Sequence, residues 1–477
     1  MGSGINDLRV DSYQKILIIP KNQRFHETFS HLGVEFLELW CIIKVQIAFR
    51  RADIMLLQFN FKNFKSFRDD AILDLTATRV SEHQNHIIEI GHDKILPVAV
   101  ILGANASGKS NVLEAFRYMS TYVLESFNYG GDESTKKGKS EFLSPTPFLF
   151  DSTSQKAGSS FEVYFVSSEE NSYKTYNYGF TVNDTGVEEE WLNYKSKSTR
   201  NDYTRIFYRN GKNLDLPGIP VKSQENLKIA LEKETLIVSL GAKLRIPKLK
   251  LIREWFLNNE LADFGHPIEN FFLSEQLPDD FVENKEEQKK VVNYFSTFDP
   301  SIVGFEVERM EGDDGKKSSK VRIDAIHQMV GSDKTATIPL KSESAGTLKM
   351  FALYPLLQDV LETGGVLFID ELNSRLHPLL VRAFVLIFLN TKTNPKRAQL
   401  VFTSHDSWQL NSKILRRDEI WFCEKASDGV STLYSLVDFV DKDGMKIRKD
   451  ENYENNYLLG KYGAIPTMKC FDVFEEE

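Results

Sequence analysis

The sequence predicts an α/β nucleotide-binding fold with an antiparallel β lobe and a helical insertion. Three observations predict it. Pro97-Val-Ala-Val-Ile-Leu102 is an apolar strand that runs into Gly103-Ala-Asn-Ala-Ser-Gly-Lys-Ser110, and Asn111-Val-Leu-Glu-Ala-Phe116 then opens a helix. Val366-Leu-Phe-Ile-Asp370-Glu371 is a second apolar strand, ending on two carboxylates. Between them, residues 160–166, 173–182, 187–194 and 204–208 read as short strands, with turn residues such as Asn183-Asp184 and Asn210-Gly211 separating them.

The remaining elements follow in chain order. Residues 1–54 look unlike the rest and are read either as an extension (an upstream start or a tag remnant, given Gly2-Ser-Gly4) or as a partner-binding arm. From Met55 an alternation of apolar and polar residues starts the nucleotide-binding sheet. Residues 71–96 read as further strand and turn, and 128–140 as a Gly, Asp and Lys-rich loop. The region 55–220 is thus the first part of the head. Residues 221–300 form the insertion, with helical spacing over 225–232, 248–257 and 286–295 and Pro247 placed to start the second helix. They are too broken for a coiled-coil arm. Residues 301–477 return to the head: a charged turn at 310–320, a strand at 320–326, a helix at 348–361 and an apolar strand from Gln399 to His405.

Composition bounds the function. The chain has 477 residues, enough for one elaborate domain or two to three, and a net charge of −9. That charge argues against a wholly basic nucleic-acid coat and leaves room for a local basic patch. Cys41, Cys423 and Cys470 stand singly with no CxxC, which fits a reducing cytosol and gives no metal or disulfide framework. No stretch reaches the ~18 uncharged apolar residues of a membrane helix. The N-terminus lacks the basic start and clean apolar run of a signal peptide. A cytoplasmic protein without a membrane partner is expected.

The chemistry lies in four motifs. G-x-x-x-x-G-K-S between a strand and a helix is a Walker A loop of a P-loop NTPase. Backbone N–H groups across Gly103, Asn105, Ala106, Ser107, Gly108 and Asn111 cradle phosphates at the helix N-terminus. Lys109 reaches the β- and γ-phosphates, and Ser110 holds Mg²⁺. Asp370 and Glu371 form a Walker B element: Asp370 for the Mg²⁺ water shell, Glu371 as general base toward the attacking water. His405 ends a further strand, where an imidazole can hydrogen-bond the γ-phosphate. Ser344, Ala345, Gly346 and Thr347 open a helix just ahead of Walker B and make a second anion site. The order Walker A, Ser-rich signature, Walker B, switch His is that of ABC-type ATPases.

From Met55 to its end the chain resembles the ABC-type AAA ATPases related to SMC and OLD proteins. More narrowly it is similar to the RloA/AbiLi group, bacterial ATPases linked with phage defence and abortive infection. Asp370-Glu-Leu-Asn-Ser-Arg-Leu-His377-Pro378, Thr403-Ser-His405-Asp406, Arg417-Asp-Glu-Ile-Trp-Phe-Cys-Glu-Lys425 and Tyr457-Leu-Leu-Gly-Lys-Tyr-Gly-Ala-Ile-Pro466 carry that resemblance. It implies ATP and Mg²⁺ as ligands, and ATP rather than GTP. It also implies a homodimer or higher homo-oligomer with ATP sandwiched between heads, Lys109 and Ser110 of one facing Ser344 and Gly346 of the other. A separately encoded effector, a nuclease or toxin, is the implied partner.

Two departures stand out. His377 occupies the place where transport-type relatives carry Asp, which disfavours transport. The segment 142–148, where the resemblance places a Q-loop, contains no Gln. The chain after His405 is too short for the TOPRIM nuclease of OLD relatives. Asp441-Lys-Asp443-Gly444 reads as a plain turn or as a D-x-D able to bind Mg²⁺. Three functions remain: a sensor ATPase of a phage-defence system, an SMC-like DNA-maintenance ATPase, and an ATP-locked scaffold. Nucleic acid stays open as a partner, and the basic run Lys243-Leu-Arg-Ile-Pro-Lys-Leu-Lys250 is a nucleic-acid contact, a partner surface or a solvated helix face.

Overall fold

The strand Val98–Leu102 is apolar and buried at every position, and Val366–Asp370 and Gln399–Ser404 are buried throughout. Strands covered on both faces belong inside a parallel sheet, and the computed structural model places them there. It describes residues 16–17, 54–129, 144–169, 172–196, 202–278, 280–311, 317–440, 444 and 446–466.

The first described elements are β1 (Ile16–Leu17), β2 (Ile54–Lys62), β3 (Ala71–Asp74), β4 (Ile88–Ile90), β5 (Asp93–Ile95), β6 (Val98–Leu102) and α1 (Lys109–Glu125). Five strands follow: β7 (Ser159–Glu169), β8 (Ser172–Asn183), β9 (Gly186–Ser196), β10 (Thr204–Asn210) and β11 (Asn213–Asp215). Next come α2 (Val221–Ala230), α3 (Ile237–Lys243), α4 (Pro247–Leu257), β12 (Glu260–Asp263), α5 (Pro267–Glu275) and α6 (Lys285–Phe295). Then follow β13 (Ile302–Glu311), β14 (Lys317–Gln328), β15 (Thr335–Pro339), α7 (Ala345–Thr363), β16 (Val366–Asp370) and α8 (Pro378–Leu389). The last are β17 (Gln399–Ser404), β18 (Ile420–Lys425), β19 (Ser431–Ser435) and α9 (Tyr453–Leu458). The described residues form two compact units, one from 16–17 and 268–355, the other from 54–267 and 356–466.

The larger unit holds two large sheets and the two-stranded pair β4-β5. In the first the order is β12-β16-β17-β6-β18-β19, parallel except for the antiparallel edge strand β19. Ser404 pairs with Leu102 and Ile369 with Phe402, so the C-terminal ends of β6, β16 and β17 share one edge. In open α/β sheets that edge is where ligands bind. The second sheet is antiparallel, ordered β11-β10-β9-β8-β7-β2-β3; β7 to β10 are the four short strands read from the sequence, and β11 adds to this meander a fifth that was not expected.

Helix α1 lies between the sheets, and its apolar face explains why. Phe116 meets Phe59 of β2 at 5.3 Å and stacks on Phe368 of β16 at 4.1 Å. It also touches Trp255 and Phe256 of α4, and Trp255 stacks on Phe165 of β7 at 4.5 Å. Burying an aromatic of this size stabilises by about 1.5–3 kcal/mol. A polar clasp joins the same layers. Gln399, fully buried, accepts from Leu56 N (2.7 Å) and donates to Leu56 O and Leu96 O (both 3.0 Å). On the meander, buried Glu190 accepts from Ile237 N and Val238 N at the start of α3, and burial pushes its carboxyl up to about 7.

The segment read as a helical insertion is more mixed. α2, α4 and α6 answer the helical spacing, while β12 is a strand of the parallel sheet, beside Walker B. In the smaller unit β13, β14 and β15 form an antiparallel sheet, with β1 added along β14 at Val321 and Lys320. Phe281, Phe295, Phe305 and Phe351 pack together over it. The molecule is an α/β P-loop head with an antiparallel β lobe. Among the described residues no helix is long and apolar enough to cross a membrane. The loop reading of 128–140 and the N-terminal readings fall largely outside the described residues, as do Asp441 and Asp443. The turn read at 310–320 is shorter than expected: β13 runs to Glu311 and β14 starts at Lys317, leaving 312–316, which are outside the described residues.

Candidate nucleotide-binding site

β6 ends at Leu102 and α1 begins at Lys109, so the loop between them lies on the ligand edge of the sheet. Its backbone takes left-handed angles at Ala106 (φ 61°) and Gly108 (φ 109°). The glycines are dictated by space as well. A Cβ on Gly103 would stand 2.2 Å from Cys423 O, and one on Gly108 2.6 Å from Ser431 Oγ and 2.7 Å from Ser66 Oγ. The loop is braced from below. Ser431 Oγ donates to Ser107 O (2.6 Å), Cys423 Sγ donates to the same oxygen (3.2 Å), and Asn111 Nδ2 donates to Ser66 Oγ (2.7 Å). Burial pushes the Cys423 thiol up to about 12, so it is a neutral donor. Ser107 Oγ is buried and has no hydrogen-bond partner among the described residues.

Lys109 is buried, and its Nζ donates to Gly103 O (3.0 Å), Ala104 O (2.9 Å) and His405 Nδ1 (3.3 Å). Burial lowers its pKa, opposed by the charges of Asp370 and Glu371. An ammonium at Nδ1 leaves the imidazole proton on Nε2, which stands 3.6 Å from Glu371 Oε1. Burial first, then Lys109, holds the His405 pKa below the usual imidazole range, so the ring is neutral. Thr403, fully buried, accepts from Glu371 N (2.8 Å) and donates to Asp370 Oδ1, fixing both acids through one hydroxyl. Asn373 Oδ1 accepts from His405 N (3.3 Å). Ser110 and Asp370 line one cleft together with Asp263. The Ser110 hydroxyl and the Asp370 carboxylate are hard oxygen donors that suit Mg²⁺.

Residues 98–407 match the family model described as "AAA domain, putative AbiEii toxin, Type IV TA system". The chain belongs to this AAA-domain family. It is also similar to two solved structures. One is an SMC head bound to the C-winged helix domain of ScpA, at 14% identity over 82% of this chain and 99% of that one, with a TM-score of 0.37. The other is an SMC head with an extended coiled coil, bound to the C-terminal domain of ScpA derived from Pyrococcus furiosus. It shows 15% identity over 80% of this chain and 96% of that one, with a TM-score of 0.33. No curated protein matches the chain.

In this AAA domain the Walker A residues, Asp370, Glu371 and His405 lie together on one edge of the parallel sheet of the larger unit. Ser344, Ala345, Gly346 and Thr347 belong to the smaller unit. There Ser344 Oγ accepts from Thr347 N (3.1 Å) and caps α7, and the preceding Glu343 meets His327 Nε2 at 2.7 Å. His377 caps α8 by accepting from Leu379 N (3.2 Å), with Pro378 in the first turn. The segment 144–148 runs along the corner after β2, where Lys65 N donates to Thr146 O (2.7 Å) and Phe148 N to Asn63 Oδ1 (3.0 Å). Sequence reasoning did not single out Ser66, Thr403, Cys423, Ser431 or Asp263. Thr403 and Cys423 sit inside motifs already noted, though without a role assigned; Ser66, Ser431 and Asp263 come from segments far away in the chain and carry no local spacing signal.

Proposed function

We propose that this AAA domain binds and hydrolyses ATP and works as the sensor subunit of a bacterial phage-defence system of the abortive-infection kind. The observation that carries the ATPase reading is the linked set Lys109, His405 and Glu371, an ammonium, a neutral imidazole and a carboxylate on the ligand edge of the sheet. Gly103, Asn105, Ala106, Ser107, Gly108, Lys109, Ser110 and Asn111 hold the phosphates, with Lys109 on the β- and γ-phosphates. Ser110 and Asp370 would hold Mg²⁺, which would supply charge neutralisation to the triphosphate. Glu371 takes a proton from the attacking water, and His405, with its proton on Nε2, contacts the γ-phosphate region. Thr403 keeps both acids in place.

Two copies would close over ATP with Ser344, Ala345, Gly346 and Thr347 of one facing the Walker A loop of the other. ATP then favours the joined state, and its hydrolysis releases it, a population shift driven by ligand chemistry. The family description, an AAA domain and putative toxin of a type IV toxin–antitoxin system, supports a place in a toxin–antitoxin or abortive-infection system; the separately encoded effector is part of the proposal.

The test is phage plating on native-host cells carrying wild type, Lys109→Ala or Glu371→Gln, with affinity purification of the Glu371→Gln protein in Mg-ATP. The expected result is loss of protection in both variants and a stoichiometric nuclease or toxin co-purifying. Full protection by Glu371→Gln would move the reading to an ATP-locked scaffold. Nucleic acid recovered without a protein partner would move it to DNA maintenance.

A further inference from the structure

β12 ends at Asp263, and the chain turns through Phe264, Gly265 and His266 before α5 begins. Parallel pairing sets Asp263 beside Asp370, and Phe264 N donates to Asp370 O at 3.4 Å. The turn is closed on itself: Asp263 Oδ1 accepts from Gly265 N (2.8 Å) and His266 N (2.9 Å). Gly265 lies directly against the Glu371 carboxyl. A methyl added there would stand 3.1 Å from Glu371 Cδ, 3.3 Å from its Oε1 and 3.2 Å from Asp263 Oδ1. The backbone of Gly265 is not left-handed, so the space beside Glu371, and not its conformation, explains the glycine.

Glu371 needs such support. Its side chain is 37% exposed and its backbone is left-handed, at φ 52°. A partly exposed carboxylate at a strand end samples several rotamers unless neighbours exclude them. His405 stands on one side at 3.6 Å, and Gly265 occupies another.

We propose that the turn 263–266 is the positioning element for Glu371. Asp263 is its positioning residue and acts through the two backbone N–H groups that it holds. This rests on the ATPase reading above and names what sets the geometry of its general base. A displaced base costs rate without costing affinity, because the carboxylate acts on the water in the transition state.

The experiment compares ATP turnover and nucleotide affinity for the full-length wild type, Gly265→Ala, Asp263→Ala and Asp263→Asn. Gly265→Ala and Asp263→Ala are expected to lower kcat about tenfold or more, with KM for ATP within about twofold. Asp263→Asn keeps the Oδ1 acceptor and is expected to stay within about threefold of wild type. In a Glu371→Gln background, Gly265→Ala is expected to add no further loss, since both act on one group. The inference is overturned if Asp263→Asn is as slow as Asp263→Ala, which would make the charge the point. It is also overturned if Gly265→Ala leaves kcat unchanged, or if its effect adds in full to that of Glu371→Gln. Glu371-dependent turnover in the wild type with an unmoved Gly265→Ala defeats this inference alone. No turnover in the wild type defeats the ATPase reading with it.

Discussion

His405 joins the two charged ends of the site. Its Nδ1 lone pair accepts from Lys109 and its Nε2 proton points toward Glu371. A protonated ring would lose that acceptor and place two cations side by side. Burial and Lys109 keep the imidazole pKa below its ordinary value of about 6.5. The neutral form therefore persists to lower pH than in a free histidine. The kcat/KM for ATP, which reports the free enzyme, should stay flat from pH 8 down to about 6.5, with its acid limb below that. A limb at or above 6.5 would contradict the arrangement. The residues on which this rests were legible in the sequence, because G-x-x-x-x-G-K-S, Asp370-Glu371 and Ser404-His405 each sit at a strand end, where local pattern and chemistry coincide. The supporting residues were not. Ser66, Ser431 and Cys423 brace the loop from three separate strands or corners, and Asp263 arrives through strand pairing. Only the assembled sheet brings them to the site.

At the scale of elements, the apolar strands and the amphipathic helices read directly. β6, β16 and β17 are near-continuous apolar runs, and the meander strands alternate. β12 was hidden because Glu260-Leu-Ala-Asp263 is short, carries an acid at each end and lies among helical segments. α3 was hidden by its uniformly apolar start, Ile237-Val238, which shows no amphipathic period. Gln399 shows what holds these elements in place: one side chain supplies three hydrogen bonds between the antiparallel sheet, the chain before β6 and the parallel sheet. Replacing it by Leu preserves the volume but leaves Leu56 N and two carbonyls without that partner in a buried place. Gln399→Leu is expected to destabilise by about 2–4 kcal/mol, read as a lower denaturant midpoint at unchanged slope. An unmoved midpoint would remove the clasp from this account.

For the whole molecule, membership of the AAA-domain family is consistent with the proposal that the ligand edge of the parallel sheet takes a nucleotide. Every functional proposal above depends on chemistry at that edge: the assembly of two copies, the control of an effector and the positioning of Glu371. A binding-only protein and an ATPase would share the loop, the lysine and the fold. They differ at one carboxylate. The deciding measurement is steady-state ATP turnover by the full-length protein with Mg²⁺, wild type against Glu371→Gln, at ATP concentrations that saturate both. Wild type should turn over slowly, and Glu371→Gln should fall by about 10²-fold or more while still binding ATP. Equal rates, or bound ATP with no turnover in the wild type, would contradict the account.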